Sequence, residues 1–241
     1  MSRILSSSDW GEPALALLAQ VKRLDPSKPA VLHIRHTEAF ATSERENSKM
    51  PQQNSRGRQA AIEYGEQLPL TRRYRFFHSN NGRAKETAEA IATGIESRGG
   101  LATVAGVIPA SWALDEKASE AYTQEFRKKY GEPAWLRRFV YSWIAGLAPP
   151  KVARPSAEFA ELVAEYTASN SRTARLDTVD IYISHDTWVA ALLFHWFAEP
   201  VPDDGIRFLD GFMMQPRDSG VTLYVRGKKT QAEYPYWWAK L

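Results

Sequence analysis

Residues 30–40 read AVLHIRHTEAF. An apolar, β-branched run of strand character ends in the pair Arg35-His36 and turns polar at once. A strand end that meets solvent would account for one such pair. The ending recurs, however, in YRFFHS (74–79), which closes on His78-Ser79, and in TVDIYIS (178–184), which runs into His185. Each of the three runs is followed by a polar turn or a helical pattern. Helical spacing covers 55–68, 82–99 and 185–197, and further strands are predicted over 103–110, 208–216 and 221–227. Strands that alternate with helices imply βαβ units. The expected fold is a three-layer α/β/α sandwich with a mostly parallel central sheet. In such sheets ligands bind outside the carboxyl ends of the strands, so three separate segments would deliver polar groups to one rim.

The flanking regions set the domain plan. Residues 1–28 read as an N-terminal extension, with a helix in GEPALALLAQVKRL (11–24) closed by DPSKP. Residues 29–241 read as a single domain. The stretch 112–172 reads as two or three helices inserted outside the strand order and covering the rim. Its Trp112, Trp135, Tyr141 and Trp143 are expected to pack, as is the tail YPYWWAKL (234–241). Residues 41–54 are polar without period and read as a loop.

Composition narrows the chemistry. The chain has 241 residues and no cysteine, which removes disulfides, thiolate catalysis and cysteine-based zinc sites. A formal charge of +3 is too small to argue for nucleic acid. The longest apolar stretch, WVAALLFHWFA (188–198), is too short to span a bilayer, and the first residues lack an apolar signal core. A cytoplasmic protein that binds neither nucleic acid nor membrane is expected. The sequence leaves a homodimer open.

The residues at the rim suit an anion. A cation beside His36 disfavours imidazolium and keeps a neutral nucleophile. Arg83 opens a helix, where a cation is misplaced against the dipole unless an anion sits there too. His33 and His36 are an odd number of residues apart on a strand, which argues against a shared metal. His185, followed by Asp186 and Thr187, can donate to a phosphoryl oxygen and would become doubly protonated beside a dianion; Asp186 is also a natural helix cap. Two arginines and two histidines on one rim fit phosphoryl transfer, with an in-line imidazole attack and a carboxylic acid that protonates the leaving oxygen. Asp115, Glu116 and Asp186 are the acids within these motifs.

Taken in order, these motifs resemble the histidine phosphatase, or phosphoglycerate-mutase-like, superfamily. Arg35-His36-Thr37-Glu38 stands for the family's Arg-His-Gly-Glu. Ser79, Arg83, Ala84, Thr87 and Ala88 match Ser-x-x-x-Arg-Ala-x-x-Thr-Ala at every fixed position. Gly57, Ala61, Gly65 and Leu68 fit the intervening helix, and Ser184-His185 fits the last signature. The resemblance implies a metal-independent, cofactor-free phosphomonoesterase acting on a small phosphorylated substrate. It makes His36 the nucleophile and places Arg35, Arg83 and His185 around the phosphate. It implies either Glu116, in Leu114-Asp115-Glu116, or Asp186, in His185-Asp186-Thr187, as the acid; the mutase-like character of the front half favours Glu116. Thr37 replaces the usual Gly, and its hydroxyl is a candidate donor to the substrate. Thr42 stands where one branch carries Asn, and Ala39 where the other carries Arg. A phosphomutase, and a weakly active member that binds a phosphorylated ligand, are the rival readings.

Overall fold

A computed structural model describes residues 4–40, 52–132, 134–217 and 219–240. The chain forms α1 (Ile4–Ser7), α2 (Gly11–Val21), β1 (Ala30–Arg35), α3 (Ser55–Gln67), β2 (Arg73–His78), α4 (Gly82–Glu96) and β3 (Leu101–Val107). There follow α5 (Glu116–Tyr130), α6 (Ala134–Ile144), α7 (Ser156–Arg172), β4 (Thr178–Ser184) and α8 (Asp186–Phe197). The chain ends with β5 (Gly211–Pro216), β6 (Val221–Val225), β7 (Lys228–Ala232) and a 3₁₀ turn (Tyr236–Lys240).

The seven strands form one sheet in the order β3-β2-β4-β1-β5-β6-β7. The expectation of a mostly parallel sheet holds for only half of it. β3, β2, β4 and β1 are parallel, whereas β5, β6 and β7 pair antiparallel. The connections give the reason. Parallel neighbours need a crossover of a dozen or more residues, and helices supply it in the first half. Short turns join β5, β6 and β7 and allow only hairpins, whereas β5 itself enters after α8 and a long connection and pairs antiparallel with β1. β7, KKTQA, is a polar, exposed edge strand with no apolar alternation to announce it.

Side chains alternate along each strand, so the sheet carries two cores. Leu32, Ile34, Phe76, Val179, Ile181 and Ile183 face α2, α3 and α4. Val31, Phe77, Tyr182 and Phe212 face α6, α7 and α8. α2 is part of the first core, with Ala14, Leu17, Leu18 and Val21 buried against it. On the other side Trp135 and Trp143 are buried, Trp112 packs on Phe139 and Trp143, and the Tyr141 hydroxyl accepts a hydrogen bond from the Val201 amide at 3.1 Å. Trp238 of the tail stacks edge-on against Trp196 of α8. No helix among the described residues is long and apolar enough to cross a membrane.

Candidate active site

The three strands that carry the polar endings, β2, β4 and β1, are adjacent and parallel. Their hydrogen bonding continues past the last paired residues. The His36 amide donates to the Ser184 carbonyl and the Ser79 amide donates to the Ile183 carbonyl, both at 2.9 Å. The ladder thus fixes Arg35-His36, Ser79 and Ser184-His185 in one row before any side chain is considered. The rings of His36 and His185 lie 5.4 Å apart and nearly perpendicular. His185 Nε2 is 3.0 Å from the Ser79 hydroxyl.

His36 is buried, and its Nδ1 lies 2.6 Å from the backbone oxygen of Thr37. A carbonyl can only accept, so Nδ1 carries the proton and a neutral ring keeps its lone pair on Nε2. Neutrality is enforced by the surroundings. Burial, then His185, Arg83 and Arg35, push the imidazole pKa well below 6.5. The same burial, with Arg83 and Arg35 and against Asp186, holds His185 down at about 3. Both arginines therefore act on both rings.

Arg35 is gripped from two sides. One terminal nitrogen donates to the Ile206 carbonyl at 2.7 Å, and the other pairs with Asp186 at 3.2 Å. Its guanidinium lies over the Phe208 ring, 4.4 Å from the centroid. The segment 208–210, expected as the start of a strand, is instead the end of a loop that contributes the Ile206 carbonyl and the Phe208 ring to these contacts, with Leu209 at φ +57°. Arg83 stands in the first turn of α4, whose N-cap Asn81 accepts from the Arg83 amide at 3.2 Å. Thr87, one turn on, donates to the Arg83 carbonyl and accepts from the Thr37 amide, which ties α4 to the loop after β1.

Thr37 does not keep the free hydroxyl expected of it. Its side chain is fully buried and donates to the Gly57 carbonyl at 3.2 Å, so the close approach of α3 takes up the donor. Thr42 lies outside the described residues, as does most of the 41–54 loop. Asp186 is the first residue of α8 and not its cap; His185 holds the cap position. One Asp186 oxygen accepts from the Thr187 amide at 2.8 Å and the other holds Arg35. Glu116 is exposed at the start of α5, behind Asp115, which caps that helix.

His33 lies inside the core formed with α7 and α8. It stacks on Tyr182 and Phe212 and is held neutral by burial, with a pKa of about 3. No group of three or more His, Asp or Glu among the described residues could hold a metal ion.

Neither the scan against protein-family models nor the search of curated proteins finds a match. Solved structures do match. The phosphoglycerate mutase of Bacillus anthracis shares 15% identity over 86% of this chain and 93% of its own, with a TM-score of 0.54. The YhfR protein of Bacillus stearothermophilus shares 16% identity over 84% of this chain and 98% of its own, at 0.55. A mycobacterial glucosyl-3-phosphoglycerate phosphatase bound to VO3 shares 15% identity over 86% and 99%, at 0.53. The fold is phosphoglycerate-mutase-like.

Proposed function

We propose that this chain, on its phosphoglycerate-mutase-like fold, is a histidine phosphatase: a phosphomonoester hydrolase that works through a phosphohistidine at His36. One observation carries the reading. His36 is a buried imidazole protonated at Nδ1 by its bond to the Thr37 carbonyl, kept neutral, and set 5.4 Å from the ring of His185. Such a group is a nucleophile, and Arg35 and Arg83 are the cations that a phosphoryl group would meet.

In the proposed reaction the phosphate of a monoester settles among Arg35, Arg83 and His185. The dianion offsets the two guanidiniums that hold His185 neutral, so His185 takes up a proton and donates to an equatorial oxygen. Nε2 of His36 attacks phosphorus in line. The P–O bond to the leaving alcohol breaks, and that oxygen takes a proton from a carboxylic acid. The Thr37 carbonyl steadies Nδ1–H as positive charge grows on the ring. Water then attacks the phosphohistidine, gives up a proton to the same carboxylate, and phosphate leaves. We assign the acid to Glu116, because both Asp186 oxygens are already engaged, by the Thr187 amide and by Arg35.

Phosphate release from an aryl phosphate and a panel of small phosphorylated metabolites, without added metal, tests this. The wild type should turn over at least one, and His36→Ala should lose about 10³-fold or more while remaining folded. Glu116→Gln should slow release of poor alkoxide leaving groups more than of nitrophenolate, which needs no proton. Asp186→Asn should instead raise KM through Arg35. Full activity in His36→Ala would refute the mechanism.

A further inference from the structure

The hairpin between β6 and β7 is joined by two residues, Arg226 and Gly227, since Val225 pairs directly with Lys228. Both have positive φ, +46° and +80°. Two-residue turns of this kind favour Asn-Gly or Gly-Gly, because a long side chain at the first position is strained. An arginine there needs a reason, and its side chain supplies one. Nε and one terminal nitrogen donate to the same Asp210 carboxylate oxygen, at 3.1 and 2.7 Å. The guanidinium also bonds Asp204 and the Gly205 carbonyl. Asp210 is buried, and its other oxygen accepts from the Gly211 amide at 2.7 Å.

The segment held in this way, 204–210, is the one that holds Arg35. It contributes the Ile206 carbonyl and the Phe208 ring to the guanidinium. It also brackets the Arg35 backbone: the Arg35 amide donates to the Asp210 carbonyl at 2.9 Å, and the Leu209 amide donates to the Arg35 carbonyl at 3.1 Å. A second residue of the segment, Leu209, is itself in the left-handed region. Backbone strain at two non-glycine residues, Arg226 of the ion pair and Leu209 beside its buried partner Asp210, is kept only where the surroundings over-determine it. We propose that Arg226, through Asp210 and Asp204, is a positioning residue that sets the angle of the Arg35 guanidinium to the phosphate. The inference rests on the proposed role of Arg35 as a phosphate ligand. Arg226 itself touches neither Arg35 nor His36 in any contact described above, so its effect passes through the loop.

A residue that only fastens the hairpin would change melting and nothing else. A positioning residue changes affinity for phosphate in the folded protein. The test is calorimetric binding of inorganic phosphate and of orthovanadate to the full chain, with aryl-phosphate kinetics run on the same samples. Arg226→Gln should weaken phosphate binding and raise KM, each about tenfold, with a smaller change in kcat. Arg226→Lys, which keeps the charge but not the fork, should fall between it and wild type. Asp204→Asn, which loosens Arg226 from the exposed side, should shift both constants the same way by a smaller factor. Unchanged phosphate affinity and KM in Arg226→Gln, with a lowered melting temperature, would overturn the proposal. If Arg226→Gln does not fold, unchanged constants in both Arg226→Lys and Asp204→Asn would overturn it equally. A wild type that binds phosphate but releases none from any ester would refute the hydrolase reading alone, and the binding ratios would still decide this one. A wild type that binds neither ion would remove the premise and overturn both.

Discussion

Two separable effects act on His36: the Thr37 carbonyl fixes its proton on Nδ1, which by itself favours imidazolium, and burial beside His185, Arg83 and Arg35 outweighs this and keeps the ring neutral. Only a part of this was legible in the sequence: Arg35 adjoins His36, but burial is the larger cause, and it appears only in the packed fold. The tautomer was not, since it depends on the direction of the Thr37 carbonyl. The fate of Thr37 was equally hidden: only the packing of α3 shows that Gly57 claims its hydroxyl. A direct consequence concerns titration. In the ligand-free protein the C2–H resonance of His185 should stay flat between pH 8 and pH 5, because that ring stays neutral across the window, and the midpoint of His36 should lie well below 6.5. Carbon–proton spectra, assigned with His36→Asn and His185→Asn, would show it. A midpoint near 6.5 for either ring would contradict the site described here. Added vanadate should bring a midpoint for His185 into the window.

Among the elements, the parallel half of the sheet and its helices are readable because period and punctuation agree there. β1, β2 and β4 are short apolar runs, and α4 opens after a capping Asn81. Legibility fails where the signal is not periodic. α1 is four residues long, and β7 is polar throughout. The stretches read as strands over 208–216 and 221–227 are shorter in the structure, because Phe208–Asp210 and Arg226–Gly227 are spent on gripping Arg35 and turning a hairpin. The glycines of α3 and α4 have a firmer meaning. A Cβ at Gly65 would lie 2.1 Å from the Ile91 carbonyl oxygen, and one at Gly94 would lie 2.1 Å from that of Ile62. The two helices are in backbone contact. Gly65→Ala should therefore cost about 2–3 kcal/mol or more in urea unfolding, in spite of alanine's better helix propensity. An unchanged or raised stability would show that α3 and α4 can part without loss.

At the scale of the whole molecule, burial in the fold lowers the pKa of four histidines: His33 in the aromatic stack between sheet and helices, His36 and His185 at the rim, and half-buried His195 in the last turn of α8. Their pKa values lie below 6.5 in the fold and near 6.5 in the unfolded chain, so below pH 6.5 the unfolded state binds more protons. Stability is then whole above that pH and is lost as pH falls toward about 3, where His33 and His185 themselves titrate. Each histidine contributes up to about 1.4 kcal/mol per pH unit in that range. His33→Phe, which preserves the stack on Tyr182 and Phe212, should flatten the acid limb of a urea-unfolding series between pH 6.5 and 5 by about 1 kcal/mol per unit. An identical slope would mean that His33 is protonated inside the fold. The central claim is that phosphate passes through His36, and the most direct test is to catch it there. A rapid acid-free quench of the enzyme with an aryl phosphate, followed by peptide mass mapping, should place one phosphoryl group on His36, and none on the same peptide from His36→Ala. Turnover with no phosphorylated His36 at any quench time, or phosphate recovered on another residue, would contradict the account.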